Sequence, residues 1–167
     1  MPFSFVPDDL FDVYTQVTPD YLRRRNIKLL LSDLDFTLAT KKTRRPDQTL
    51  LDWIDSLRQA GIGFIIVSNN RSGERVREFC GDLGIHYVGH AGKPRRGGLM
   101  AAMAQGGATP DTTAMLGDKL LTDALGARRC GFLTLTVEPV GGAVTFWQKV
   151  LHALQAPAKA ACRRRKG

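Results

Sequence analysis

Two aspartates two residues apart, in the run Asp33-Leu34-Asp35-Phe36-Thr37-Leu38, follow directly on the apolar stretch Ile27 to Ser32. At the end of a β-strand, residues i and i+2 project to the same side, so the two carboxylates are forced close together. Close like charges raise one carboxyl pKa unless a cation offsets them. The pair therefore suits either a metal site or an ionised nucleophile beside a protonated acid. A phosphoryl-transfer site can use both. One carboxylate attacks phosphorus to give an aspartyl-phosphate, and the other protonates the departing oxygen and later deprotonates the hydrolytic water.

Three later segments extend this chemistry. Ser68-Asn69-Asn70 ends a second apolar run ahead of a helix start, where a hydroxyl, an amide and free backbone N–H groups suit phosphate oxygens. Gly92-Lys93-Pro94 follows a third run and supplies a fixed cation for charge on the transferring group. Gly117-Asp118-Lys119-Leu120-Leu121-Thr122-Asp123 follows a fourth and offers a hard carboxylate for Mg²⁺, which prefers oxygen ligands; Mn²⁺ satisfies similar ligands. Taken singly, each has a plainer reading: the Asp pair as a solvated strand end, Ser68 as a helix cap, Lys93 as a surface charge, Asp123 as a charge at a helix start. Their joint occurrence in order is what lifts them.

The elements that must position these groups alternate along the chain. Runs rich in β-formers recur at Ile27 to Ser32, Ile62 to Ser68, Ile85 to Val88, Thr113 to Gly117 and Phe132 to Val137, with helix-like segments between them. Asp47 to Ala60 puts Leu50, Ile54 and Leu57 on one face, with Pro46 near its start and Gly61 just past its end. Ser72 is placed to cap a helix carrying Val76, Phe79 and Leu83, and further helices are expected at Leu99 to Ala104 and Leu120 to Arg128. The pattern predicts an α/β, Rossmann-like, doubly wound parallel sheet. In such a sheet ligands gather beyond the carboxyl ends of the strands, where all four segments lie.

With D-x-D-x-T, S-N-N, K-P and G-D-x-x-x-x-D in that order, the chain resembles the haloacid dehalogenase (HAD) superfamily of phosphatases. More narrowly it resembles the YqeG family of subclass IIIA, which is similar to mitochondrial phosphatidylglycerophosphate phosphatases. The likeness covers about residues 8 to 140. It implies Asp33 as nucleophile and Mg²⁺ ligand, and Asp35 as acid/base that also lends its backbone carbonyl to the metal. It further implies Thr37 ordering the loop, Ser68 and Asn69 binding phosphate, Lys93 neutralising the transition state, Asp118 holding Mg²⁺ and Asp123 supporting the site. Two positions depart from the family's habit: Phe36 stands where Asn is usual and Lys119 where Gln is common. Lys119 adjoins Asp118 and rivals Lys93 as the catalytic cation; the K-P motif favours Lys93.

The remaining features are less specific. His86 and His90 stand four apart, but on a strand-and-loop segment with no carboxylate or cysteine nearby in sequence, which disfavours a metal there. Cys80 reads as core, and Phe146, Trp147 and Val150 as the packing face of a final helix. The stretches Ala39 to Pro46 and Lys93 to the next strand leave no room for a lid, so a capless, open site is expected, able to accept a phosphate on something large. Lys41, Lys42, Arg44, Arg45, Arg71, Arg95 and Arg96 follow strand ends and suggest a basic collar that steers the site onto an anionic membrane, with a solvated charge run as the plainer reading. Phe3, Phe5, Leu10, Phe11 and Tyr14 suit either a lipid interface or the core.

Composition sets the outer bounds. The 167 residues, 43% hydrophobic, suit one domain over 1–155, followed by a basic, flexible tail over 156–167. No apolar run nears the roughly 18 residues of a membrane span, and the start does not read as a secretory signal. Three cysteines form no even set, which argues against a disulfide framework, and a cytoplasmic protein, peripheral at the membrane, is expected. The net charge of +8 attracts phosphates of any kind. Two other classes compete with a phosphatase acting on a phosphorylated, lipid-borne substrate. One is a phosphate-recognising or phosphoacceptor signalling module on the same fold, against which Asp35 argues because it favours hydrolysis. The other is a nucleic-acid-binding protein, unsupported by any interleaving of aromatic and basic residues.

Overall fold

A computed structural model describes residues 6–71, 73–81, 84–141 and 146–166, the side chains of 146–152, 154 and 166 excepted. The chain runs β1 (Asp9–Phe11), α1 (Pro19–Arg24), β2 (Leu29–Ser32), α2 (Gln48–Gln59), β3 (Gly63–Val67), α3 (Glu74–Cys80), β4 (His86–Val88), α4 (Arg96–Gln105), β5 (Thr113–Gly117), α5 (Leu125–Cys130), β6 (Leu133–Val137) and α6 (Phe146–Lys166). Six strands form one sheet in the order β1-β6-β5-β2-β3-β4, and every pairing is parallel.

The central strands are buried along nearly their whole length because helices cover both faces of the sheet. Their side chains divide by the period of two. Leu30, Phe64, Ile66, Ala114, Leu116, Leu135 and Val137 join one core with Leu50, Trp53, Ile54 and Leu57 of α2 and Val76 and Phe79 of α3. Leu29, Leu31, Ile65, Val67 and Met115 join the other with Leu99, Ala102 and Ala127 of α4 and α5. Helix α2 starts as its sequence dictates: the Asp47 side chain accepts from Leu50 N at 2.8 Å, leaving the buried stripe facing the sheet. From β2 the chain winds outward through β3 to β4, then returns to the other side of β2 for β5. The β2/β5 boundary is thus the topological switch point, where a crevice opens beyond the strand ends.

Strand β1 and helix α1 were not expected from the sequence. The acidic, short Asp9–Phe11 carries little strand signal of its own; it is held by parallel pairing with β6. Leu10 and Tyr14 are buried, Tyr14 meets Trp53 edge-on at 5.0 Å, and Trp53 Nε1 donates to Val17 O at 2.9 Å. This segment folds onto the core rather than lying free for a lipid interface; Phe3 and Phe5 lie outside the described residues, as does the expected cap Ser72. The side chains of Phe146, Trp147 and Val150 likewise lie outside them.

Within the span expected as a basic, flexible tail, helix α6 continues through Lys166 with Pro157 inside it. Lys159 and Arg163, one turn apart, both reach Glu138, at 3.2 and 3.0 Å, and Cys162 is fully buried. Gln155 Oε1 accepts from Leu120 N at 2.7 Å, tying α6 to the segment that follows β5.

Candidate active site

The ladder between β2 and β5 continues one residue past β2, where Asp33 N donates to Leu116 O at 2.9 Å, and this fixes the start of the Asp33-to-Ala39 turn. Within the turn, Leu38 N donates to Leu34 O at 3.0 Å and Phe36 N to Ala39 O at 2.7 Å. The backbone doubles back so that the wholly buried Thr37 reaches across to β5, its hydroxyl donating to Asp118 Oδ1 at 3.2 Å. Phe36 adopts φ 64°, a left-handed conformation that Asn adopts readily and a bulky side chain rarely does. The Phe36 ring is buried, with the Lys41 ammonium 5.9 Å from its centroid.

Lys93 lies at the centre. Its Nζ, buried, donates to Asp33 Oδ1 at 3.0 Å and to Asp123 Oδ1 at 2.6 Å. Burial by itself lowers the lysine pKa, but the Asp123 and Asp33 carboxylates outweigh it and the net shift is upward, so Lys93 is a cation at neutral pH. Asn69 clamps the Lys93 main chain from both sides: Nδ2 donates to Lys93 O at 2.9 Å and Oδ1 accepts from Lys93 N at 2.8 Å. Ser68 Oγ accepts from Asn70 N at 3.1 Å and faces the same cleft.

Asp33, Asp118 and Asp123 each offer an oxygen within 4.8 Å of the others, and all three are buried. Asp118 is pushed up to about 7, first by burial and then by the Asp123 and Asp33 charges; burial likewise raises Asp123 against the pull of Lys93. Three buried carboxylates against one buried lysine leave a charge that one divalent cation would balance, and the ligand set is all hard oxygen. The donors fit Mg²⁺. Among the described residues no other cluster of this kind exists, and His86 and His90 are exposed and take no part. Asp123 Oδ2 also accepts from Lys119 N at 3.2 Å, at the start of the π-helical turn Leu120–Ala124.

Two predictions arise here. Asp118 has a folded pKa above its unfolded value of about 4, so the folded protein holds the extra proton between about pH 4 and 7, and stability falls as pH rises through that window. In EDTA, Asp118→Asn should therefore be more stable than the parent by about 1–3 kcal/mol at pH 8, with the gap closing towards pH 5. Thermal melts at both pH values test this, and an equal gap at both would refute it. Gly117 is the second case: a Cβ there would lie 2.2 Å from Asp123 Oδ2 and 2.3 Å from its Cγ. Gly117→Ala must expel the Asp123 carboxylate from its pair with Lys93, and a loss of about 3 kcal/mol, or about 6–12 °C in Tm, is expected by calorimetry.

Asp35 stands apart from the three-carboxylate cluster. Its Oδ1 accepts from Arg75 Nε at 3.3 Å, and its pKa is raised first by burial, with Arg75 opposing and Asp33 adding to the rise. Arg75 was not singled out in the sequence because no motif links it to a residue 40 positions earlier. Asp33, Asp35, Ser68, Asn69 and Lys93 line a cleft of about 300 Å³ together with Lys41, Asn70, Arg71, Lys119 and Thr122. Of the expected basic collar, Lys41 and Arg71 line the cleft; Arg44 pairs with Glu78 at 3.8 Å, and Arg96 lies beside the Cys130 thiol. Lys119 sits on the cleft wall and lowers Asp118, without the burial or double carboxylate pairing of Lys93.

Sheet order, a crevice at the switch point and a buried lysine among carboxylates mark the class as an α/β phosphohydrolase of HAD type. A family model described as HAD-hydrolase-like matches residues 90–139. The "Probable phosphatase YqeG" of Bacillus subtilis (strain 168) is 35% identical over 144 residues, which is 85% of this chain and 82% of that protein. Among solved structures, the cobalt-bound deoxy-D-mannose-octulosonate 8-phosphate phosphatase (YrbI) from Haemophilus influenzae superposes with a TM-score of 0.52 at 25% identity, covering 76% of this chain and 75% of that one. The 3-deoxy-D-manno-octulosonate 8-phosphate phosphatase from Moraxella catarrhalis, solved with magnesium ion, phosphate ion and KDO, gives 0.54 at 19% identity over 87% and 95%, a likeness of fold. The chain belongs to the YqeG-like family of HAD phosphatases and is a phosphoric monoester hydrolase.

Proposed function

We propose that this phosphatase is Mg²⁺-dependent, works through an aspartyl-phosphate on Asp33, and acts on phosphatidylglycerophosphate at an anionic membrane surface. The observation that carries the mechanism is the buried Lys93 between Asp33 and Asp123, with Asp35 two residues beyond Asp33 in the same cleft. Asp33 Oδ attacks phosphorus as the bond to the leaving oxygen breaks, and the Asp35 carboxyl gives that oxygen its proton. Asp35, now a carboxylate, then takes a proton from water as the water oxygen bonds to phosphorus and Asp33 is released. Lys93 holds a fixed positive charge against the phosphoryl oxygens, kept in place through its main chain by Asn69. Ser68 and the backbone at Asn69 and Asn70 bind the phosphate, Thr37 orders Asp118, and Asp123 orients Lys93. Mg²⁺ would be held by the Asp33 and Asp118 carboxylates and the Asp35 carbonyl, and when bound it neutralises charge on the phosphoryl group.

The lipid reading rests on the surface. No inserted domain covers the cleft among the described residues, Lys41, Arg71 and Lys119 line it beyond the buried lysine, and Leu121, beside Lys119 and Thr122, is 49% exposed. Among the described residues no helix is long and apolar enough to cross a membrane; the contact proposed is peripheral. The test is phosphate release from phosphatidylglycerophosphate in vesicles, a nucleotide, a sugar phosphate and p-nitrophenyl phosphate, each with Mg²⁺ or EDTA. Metal-dependent release concentrated on the lipid supports the whole reading. Metal-dependent release from small esters alone removes the lipid and keeps the mechanism, and release unaffected by EDTA removes the metal.

A further inference from the structure

Arg75 opens no motif, yet its guanidinium makes three hydrogen bonds to the loop that carries Asp35. Nε donates to Asp35 Oδ1 at 3.3 Å, NH2 donates to Thr40 O at 2.8 Å, and NH1 donates to Thr43 O. The head group lies 5.4 Å from the Phe79 ring centroid, and the ion-paired side chains of Arg75 and Asp35 are only 13% and 14% exposed. Three acceptors from one loop therefore converge on one planar fork anchored in α3. A guanidinium meets such a set in fixed directions, which an ammonium cannot do. Only Oδ1 of Asp35 is engaged; among the described residues Oδ2 accepts no hydrogen bond, and Asp35 lines the cleft. The carboxyl is thus held through one oxygen, in a residue that lines the cleft.

We infer that Arg75 is a positioning residue for the phosphatase reaction: it fixes the Asp35 carboxyl and the Thr40–Thr43 segment in one arrangement, so that Oδ2 meets the leaving-group oxygen and then the hydrolytic water. The inference rests on the acid/base reading of Asp35. A mispositioned acid matters in proportion to how much the leaving group needs a proton. Poor leaving groups such as alkoxides need it, and activated phenols scarcely do. A positioning role therefore leaves a signature that general loosening of the fold does not.

The experiment compares kcat/KM for an alkyl phosphate and for 2,4-dinitrophenyl phosphate in the parent, Arg75→Met, Arg75→Lys, Asp35→Asn and the Asp35→Asn/Arg75→Met double variant. Arg75→Met keeps the stem that packs near Phe79; Arg75→Lys keeps stem and charge but cannot span three acceptors. Arg75→Met should lose on the order of 10²-fold in kcat/KM with the alkyl ester, and at least about ten-fold less than that with the activated ester. Breakdown of the phosphoenzyme limits turnover of the activated ester, so there kcat and KM should fall together. Arg75→Lys should show the same pattern at smaller amplitude, and it carries the test if Arg75→Met does not fold. The double variant should lose no more than Asp35→Asn alone, because Arg75 acts through Asp35. Equal losses for both esters in the Arg75 variants, while Asp35→Asn remains selective for the alkyl ester, would overturn the inference and leave the reading of Asp35 standing. Equal losses in Asp35→Asn itself would remove that reading and the inference with it.

Discussion

Asp33→Asn is expected to lower phosphate release by at least about 10⁴-fold while the protein remains folded. The two side chains have the same shape, and the amide is no nucleophile. The proposed route to an aspartyl-phosphate closes, leaving only what the remaining charges contribute. Folding should survive because Lys93 keeps its 2.6 Å partner Asp123, and because one of three crowded carboxylates has become neutral. The repulsion that Asp33 exerts on Asp118 and Asp123 disappears, so in EDTA at pH 8 the variant should melt no lower than the parent. Steady-state release, a melt, and trapping of the phosphoenzyme from labelled substrate read the three consequences separately. Activity within ten-fold of the parent would place the nucleophile elsewhere.

The groups on which that prediction depends were legible for a physical reason. A strand end fixes where its next residues go, so Asp33 and Asp35, Ser68, Lys93 and Asp118 can be read as neighbours once the five apolar runs are read as one parallel sheet. The observed β2, β3, β4, β5 and β6 fall within those runs. A contact that depends on a side chain's reach rather than on its strand leaves no such trace in the sequence. Asn69 looks in sequence like a phosphate-binding amide, yet its side chain holds the Lys93 main chain. Arg75 reaches Asp35 from the first turn of α3, a meeting set by how far α3 lies from the loop and by nothing in either local sequence. Strand β1 was missed because its stability comes from the exposed edge of β6. Helix α1 was missed although its signals were present: Thr18 accepting from Tyr21 N at 3.2 Å, Pro19 at the first position, and Arg23 and Arg24 in the last turn.

Lys93→Met should cost both activity and stability, by amounts that change differently with pH. Methionine fills the space of the lysine stem but leaves the buried Asp33 and Asp123 carboxylates without their shared cation, and removing one partner of a buried ion pair costs about 3–5 kcal/mol. The penalty is avoidable at low pH, where the carboxyls take up protons. In the variant Asp123 has lost the cation that was lowering its pKa, so its folded pKa rises further above the unfolded value. The folded variant then binds the extra proton over a wider range than the parent, and its stability falls more steeply as pH rises through that range. The gap in Tm between parent and variant should accordingly be wide at pH 8 and narrow towards pH 5. Activity should not follow that recovery. The fixed positive charge on the transferring phosphoryl group is missing at every pH, and a loss of about 10²–10³-fold in kcat is expected even where the variant is stable. Melts and rates on the same samples from pH 5 to 8 separate the two effects. If stability and kcat recover together at pH 5, Lys93 serves the fold alone, and the catalytic cation must be sought at Lys119, which lines the same cleft.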